Sequence, residues 1–204
     1  MATRKYEQQL RAENAEQTRR RILDAVGHRL REAPTEQLSL DKVARLARVS
    51  RSTIYADFGS RAGLFDAFVA DLWERTGLST LTEAVETTDV RAHLRGGLTA
   101  ASRMKAKDLE IYRVLTAMDR LDPASAGGAV QKMEEDRRGG MEHLARRMSE
   151  AGELRDDVTV DQAVDVLWMI ASFESLDLLM TGRGLSVDEA IEVLVTTAER
   201  TLCR

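Results

Sequence analysis

The stretch SLDKVARLARVSRSTIYADFGSR, residues 39–61, reads as two short helices that meet at a tight junction. Ser39 and Ser50 each stand where a hydroxyl can accept an orphan backbone N–H at the start of a helix. Val43, Leu46 and Ala47 supply an apolar face to the first segment, and Ile54 with Phe58, one turn apart, supply one to the second. Only Arg48, Val49 and Ser50 separate the two. A link that short is the link of a helix-turn-helix, whose second helix reads DNA in the major groove. On this reading the second helix presents Arg51, Ser52, Thr53 and Tyr55 on one side.

Outward from this stretch the chain is helical in composition. Its 204 residues contain two prolines, and Ala, Leu, Glu and Arg dominate over alternating Val/Ile/Thr runs, which predicts an all-α protein with a substantial core. No apolar run approaches the ~18 residues of a membrane span, and residues 1–20 are too polar for a signal peptide. With a single cysteine, Cys203, no intrachain disulfide can form, and a reducing cytoplasm is the expected setting. His28, His93 and His143 are scattered without metal-ligand spacing, so no metal and no cofactor is expected. No nucleophile–base pair, paired carboxylates or phosphate-cradling glycine loop stands out, which argues against an enzyme. Charge is unevenly dealt: residues 1–62 carry 13 Lys/Arg against 8 Asp/Glu, the remainder 17 against 26. A basic end on an acidic body suits a DNA-reading module attached to a body that does not touch DNA.

The segments Ile22-Leu-Asp-Ala-Val, Ser39-Leu-Asp-Lys-Val-Ala, Val49-Ser-Arg-Ser-Thr-Ile-Tyr-Ala-Asp-Phe58 and Arg61-Ala-Gly-Leu-Phe65 together resemble the N-terminal domain of tetracycline-repressor-type (TetR family) transcriptional regulators. The resemblance runs from about Glu16 to Thr76 without a gap. It implies an all-α fold of about nine helices, with an N-terminal three-helix helix-turn-helix domain and a C-terminal helical ligand-binding and dimerisation domain. The expected division is a mobile basic arm over 1–15, a DNA-binding domain over 16–76 with the helix-turn-helix at 39–58, and an effector-binding and dimerisation domain over 77–204. The expected DNA-binding residues are Ser39, Lys42, Arg48, Ser50, Arg51, Ser52, Thr53, Tyr55 and Arg61, the last matching a phosphate-binding lysine of the family. Three residues depart from the family pattern: Arg48 where a turn glycine is usual, Asp57 where histidine is common, and Asp41 where some relatives carry a basic or polar residue that contacts a base. Arg48 must then adopt a positive φ at some cost, or the turn must differ.

Farther along, periodicity predicts a helix over about 15–31, one from Ser60 that joins the two modules, and helices near 90–107, 108–121 and 128–151. Asp122-Pro123 should end one of these, Gly139-Gly140 should interrupt another, and Gly96-Gly97 signals close packing, a kink or a void. Thr159-x-x-Gln162 and Ser186-x-x-Glu189 are capping boxes that start the last two helices, the first running to about Thr181. Both carry apolar residues on more than one side, which predicts a second packing face. The resemblance implies that they form a dimer interface, and Val164, Leu167, Ala171, Glu174, Leu178, Ile191, Leu194, Val195 and Ala198 are its candidates. A methionine-rich interior supplies candidates for the implied effector pocket: Trp73, Met104, Tyr112, Leu115, Met118, Met133, Met141, Trp168, Met169 and Phe173. The expected function is a cytoplasmic homodimeric repressor of a palindromic DNA operator, released by an unknown small, largely apolar effector, with no membrane partner. Alternatives at this stage are a helical small-molecule carrier or enzyme with a vestigial DNA-binding module, or an activator or ligand-independent regulator.

Overall fold

The computed structural model describes the backbone of residues 2–121 and 123–204, and side chains over 6–121 and 128–204. Among the described residues there are eleven α-helices and no named strand: α1 (Ala2–Glu32), α2 (Leu40–Ala47), α3 (Arg51–Phe58), α4 (Arg61–Thr76), α5 (Leu78–Val85), α6 (Val90–Ala106), α7 (Leu109–Leu121), α8 (Pro123–Glu150), α9 (Val160–Ile170), α10 (Phe173–Asp177) and α11 (Val187–Leu202). A π-helical turn, Leu178–Gly182, follows α10. Two compact units account for the chain. One comprises Met1–Asp71 with Ala117–Val130, the other Leu72–Thr116 with Gln131–Arg204.

In the first unit, α1 buries Ile22, Leu23, Val26 and Leu30, spaced on one face as the periodicity requires. Gly27 lets the Phe68 ring of α4 lie against α1, since a Cβ there would come within 3.2 Å of it. The helix begins at Ala2, where an arm over 1–15 was expected. Residues 6–17 are exposed throughout, so no packing face organises them. The run is rich in Ala, Glu, Gln, Arg and Leu and lacks Gly and Pro, so propensity alone favours the helix. The side chains of Arg4 and Lys5 lie outside the described residues. In α2 the buried stripe is Leu40, Val43, Ala44 and Ala47. Leu46, expected in it, is off that stripe and 47% exposed.

The second unit is built around Val90, Leu94 and Leu98 of α6, Leu144, Ala145 and Met148 of α8, Ala163, Leu167 and Ile170 of α9, and Ala190, Leu194, Ala198 and Leu202 of α11. The Gly96-Gly97 pair in α6 marks close packing. A Cβ on Gly96 would stand 3.1 Å from the Ala84 carbonyl and one on Gly97 3.3 Å from Val85, so the two glycines admit α5. Gly139-Gly140 do not interrupt α8, which is continuous to Glu150 and holds its end by burying Leu144, Ala145 and Met148. Asp122, expected to end α7, lies outside the described residues.

Both capping boxes form: the Thr159 and Ser186 hydroxyls accept from the N–H groups of Gln162 and Glu189, and the Thr159 and Ser186 N–H groups donate to the Gln162 and Glu189 side chains in return. The helix opened by Thr159 does not reach Thr181. It stops at Ile170, and Ser172 caps α10 by accepting from the Ser175 N–H at 3.1 Å. Three side chains donate to carbonyls at this break: Arg137 Nη1 to Trp168 at 3.1 Å, Lys105 Nζ to Ala171 and Ser175 Oγ to Met169. The split of this helix and the short α5 raise the helix number above the nine expected.

Candidate nucleic-acid interface

The local structure of residues 39–61 follows from its caps. Ser39 is extended and its hydroxyl accepts from the Lys42 N–H at 3.4 Å, opening α2. Arg48 closes α2 in the left-handed conformation, φ 56 and ψ 47, while the Val49 N–H reaches back to the Ala44 carbonyl at 3.0 Å. The turn therefore keeps the geometry that glycine would adopt, and arginine tolerates it. Left-handed backbone costs a non-glycine residue about 1 kcal/mol. Arg48→Gly should accordingly raise unfolding stability by ~0.5–1 kcal/mol and at the same time lower the salt dependence of DNA binding if the guanidinium meets a phosphate. Thermal unfolding and a salt titration check the two halves separately, and a lower melting temperature would refute the first.

Ser50 opens α3 in the same way, accepting from the Thr53 N–H at 3.1 Å. Its hydroxyl also lies 2.7 Å from that of Ser52 and 2.9 Å from that of Thr53, so these three side chains form one hydroxyl cluster. Only Ile54 of α3 is fully buried. Phe58 is half-buried beneath the Arg19 guanidinium, which sits 4.5 Å from its ring centre. Arg51, Ser52 and Tyr55 are exposed and Thr53 is half-buried, so the start of α3 presents a polar edge to solvent. Arg48 and Ser50 are exposed as well, while Ser39, Lys42 and Arg61 are half-buried. Arg61 begins α4, whose first turn is capped by Ser60 accepting from the Gly63 N–H at 2.9 Å.

Electrostatics on this edge are arranged in pairs that sequence reasoning did not find. Lys42 Nζ lies 2.7 Å from Glu36, which also accepts from Arg29 at 3.0 Å. These cations, Lys42 first, hold the Glu36 carboxyl below its ordinary range. Arg51 faces Asp41 at 3.4 Å with its guanidinium 6.0 Å from the centre of the Tyr55 ring. The Tyr55 phenol and then Asp41 push the Arg51 pKa up, keeping it charged. In the sequence the only sign of either pair is an acid near the basic residue; the geometry of the first depends on the connection before α2 and that of the second on the turn between α2 and α3.

The second unit distributes the pocket candidates unevenly. Met104, Tyr112, Leu115 and Phe173 are buried, with Tyr112 and Phe173 stacked at 6.2 Å. Trp73, Met133, Met141 and Trp168 are half-buried. Met118, also half-buried, belongs to Ala117–Val130 and hence to the other unit. Met169 is 60% exposed, because the period of α9 turns it away from Leu167 and Ile170. Trp168 carries Arg137 directly over its ring at 3.4 Å and Arg138 at 5.4 Å, a cationic setting rather than an apolar wall. Asp177, the last residue of α10, is ion-paired to Arg113.

Lys105 was not singled out by its sequence, since an isolated lysine in an amphipathic helix reads as surface. It is buried, and desolvation lowers its pKa to about 8. The Tyr112 phenol is pushed up to about 12 by burial, with Thr76 Oγ1 3.4 Å away. The buried indole N–H of Trp73 has no hydrogen-bond partner among the described residues. A cleft of about 320 Å³ bordered by Asp157, Gln162, Asp165 and Thr201 includes none of the expected pocket residues.

Among the interface candidates, Leu167, Ala171, Ile191, Leu194 and Ala198 are buried within the single chain. Val164, Glu174 and Val195 are half-buried. The exposed large apolar residues here are Leu178 at 68%, Met169 at 60% and Val193 at 42%. Val193 was missed because its neighbours Ile191, Leu194 and Val195 make the helix apolar nearly all round.

Comparison with known proteins bears on this arrangement. Residues 22–68 match the family model "Bacterial regulatory proteins, tetR family". A curated relative, the uncharacterized HTH-type transcriptional regulator YdeS of Bacillus subtilis (strain 168), is 24% identical over 188 residues, covering 90% of this chain and 88% of that protein. Among solved structures, NalD, the secondary repressor of the MexAB-OprM multidrug efflux pump in Pseudomonas aeruginosa, superposes with a TM-score of 0.72 at 25% identity, over 94% of this chain and 98% of that one. A TetR family transcription regulator from Marinobacter aquaeolei VT8 does so with a TM-score of 0.71 at 17% identity and the same coverage. The matched stretch contains the capped helix pair and its polar edge, so residues 22–68 are similar to the DNA-binding domain of the tetR family of bacterial regulatory proteins, and the fold over the rest of the chain is that of the solved TetR-type regulators.

Proposed function

We propose that the protein is a cytoplasmic homodimeric repressor that binds a palindromic operator through α3 and releases it on binding a small effector. The observation that carries the reading is the exposed polar start of α3, with Arg51, Ser52 and Tyr55 outward and Ile54 inward. An arginine placed there can meet a guanine edge in bidentate fashion, and hydroxyls such as those of Thr53 and Tyr55 can bond phosphates. Ser39, Lys42 and Arg61 stand at helix starts, where N–H groups and cations hold phosphate. Exposed Leu178, Met169 and Val193 support self-pairing through the last helices, since a two-fold dimer buries the same patch on both copies. Repression is the reading that matches the role of NalD, a repressor of similar fold.

For the effector, the buried Met104, Tyr112, Leu115 and Phe173 favour a largely apolar molecule. Release is a population shift: the effector favours a form whose recognition helices are misplaced for successive grooves, and its differential affinity weakens DNA binding. α4, one continuous helix from Arg61 to Thr76 with residues of both units, motivates this coupling. An effector that binds and leaves operator affinity unchanged would rule the coupling out.

The test of the DNA reading is a gel shift and footprint on the promoter region beside the protein's own gene. Thr53→Ala/Tyr55→Phe should lose ~10²-fold in specific affinity, at about 1–3 kcal/mol per contact, while keeping the wild-type helical signal. Wild-type protection should cover two inverted half-sites about one DNA turn, ~34–36 Å, apart. A folded double variant with undiminished affinity would sink the proposal.

A further inference from the structure

The pairing of Asp41 with Arg51 links the first turn of α2 to the first residue of α3 at the edge presented to DNA. Both side chains are more than half exposed, at 64% and 53%. An exposed ion pair of this kind contributes little to folding, so its consequence has to be sought in what the edge binds. A carboxylate on a surface that approaches a polyanion opposes every contact that places it near phosphate. Base edges treat it differently. Asp41 can accept only from an exocyclic amine, which in the major groove means cytosine N4 or adenine N6, whereas Arg51 donates to the two acceptors of guanine. Side by side, the two groups form a donor fork next to an acceptor.

We propose that Asp41 is a positioning and specificity-determining residue for DNA recognition, holding the Arg51 fork in place and penalising duplexes that offer no amine beside the guanine. The proposal rests on α3 being the reading helix. Three features carry it. Arg51 is held from two sides, by Asp41 at 3.4 Å and by Tyr55 beneath its guanidinium, which limits the rotamers it must give up on binding. Lys42, the residue after Asp41, is itself occupied by Glu36 at 2.7 Å, so for each of these two cations on the edge a phosphate must compete in exchange with an internal carboxylate. Asp41 also lies in the first turn of α2, where a negative side chain suits the positive end of the helix dipole. Non-specific DNA offers only phosphate in that exchange and gains least. A site with the matching base edge recovers contacts for both members of the pair.

The experiment selects binding sites for the full-length wild-type protein from a randomised duplex library. It then measures affinities of wild type, Asp41→Asn, Arg51→Ala and the double variant for the selected site and for unrelated duplex. Asn keeps the shape of Asp, and a thermal melt of each variant reports its folding. Asp41→Asn should bind unrelated duplex several-fold more tightly and lower the ratio of specific to non-specific affinity about tenfold. In the Arg51→Ala background the same substitution should change that ratio by less than twofold. An unchanged ratio in Asp41→Asn, or an equal change in both backgrounds, overturns the proposal, since either outcome removes the coupling. If the wild type selects no sequence and Thr53→Ala/Tyr55→Phe binds as well as it does, the reading of α3 itself fails, and this inference falls with it.

Discussion

Gly63→Ala should cost the first unit ~3 kcal/mol or more and abolish specific DNA binding, although alanine is the better helix former. Gly63 lies in the first turn of α4, two residues after Arg61. A Cβ there would stand 2.3 Å from the Phe58 carbonyl oxygen, a backbone atom that closes α3. Helix propensity favours alanine by at most ~1 kcal/mol, whereas relieving such an overlap requires re-laying the α3–α4 junction. The two helices concerned carry the candidate DNA-binding residues from Arg51 to Arg61, so the displacement reaches the binding edge directly. Gly139→Ala in α8 provides the control, because no atom lies within 4 Å of the added carbon. That variant should be neutral or slightly stabilising. Urea unfolding followed by circular dichroism, with anisotropy of a labelled operator, measures both effects. A Gly63→Ala protein as stable as wild type would show that the junction yields at little cost.

Lys105→Met should stabilise the second unit near neutral pH by ~1–3 kcal/mol and remove a rise in stability above pH 8. Burial lowers the Lys105 pKa from 10.5 to about 8, with Arg137 adding to the effect and Glu134 and Glu174 opposing it. Below pH 8 the amine is protonated in both folded and unfolded chains, and the folded state bears the full cost of burying the charge. Between pH 8 and 10.5 the unfolded chain binds more protons than the folded one, so stability rises with pH in that window. At ~1.4 kcal/mol per pH unit the whole effect is ~3 kcal/mol. Methionine leaves the Ala171 carbonyl without its donor, at a cost of ~1 kcal/mol that the gain exceeds. Cys203 works in the opposite direction at the upper end of the window, because burial raises its thiol pKa above 9.0. The difference between variant and wild type across pH therefore carries the result, not either slope alone. Parallel curves for the two proteins would mean that Lys105 holds its ordinary proton affinity.

The contrast between Ser50 and Lys105 explains what was legible in the sequence. Caps are local: Ser39, Ser50, Thr159 and Ser186 act on N–H groups three residues away, and each opens a helix as its spacing predicts. The end of α9 is not local. It rests partly on an ammonium delivered from Lys105, 66 residues earlier, and no periodicity in residues 160–181 encodes that. The candidate DNA edge was readable for the same reason as the caps, since the phase of α3 that buries Ile54 turns Arg51 and Tyr55 outward. Its ion pairs were not, because Glu36 reaches Lys42 only through the path of residues 33–38, and Asp41 reaches Arg51 only through the turn that Arg48 makes. In α11 the difficulty was excess rather than scarcity. Ile191, Val193, Leu194 and Val195 are all apolar, and only packing separates the exposed Val193 from the buried Leu194. Apolar character fixes that a side chain prefers cover, but does not say which neighbour supplies it.

Cys203 has a use that its chemistry does not advertise. The residue is buried at the end of α11, its N–H bonded to the Glu199 carbonyl and its backbone bridged to Leu154. Arg155 and Arg204 add main-chain bonds to Leu202 and Glu153 on either side. As the chain holds one thiol, any reagent that consumes thiols reports on this corner alone. The rate of its reaction counts how often the corner opens, which makes the native protein its own stopwatch for local motion without an added label.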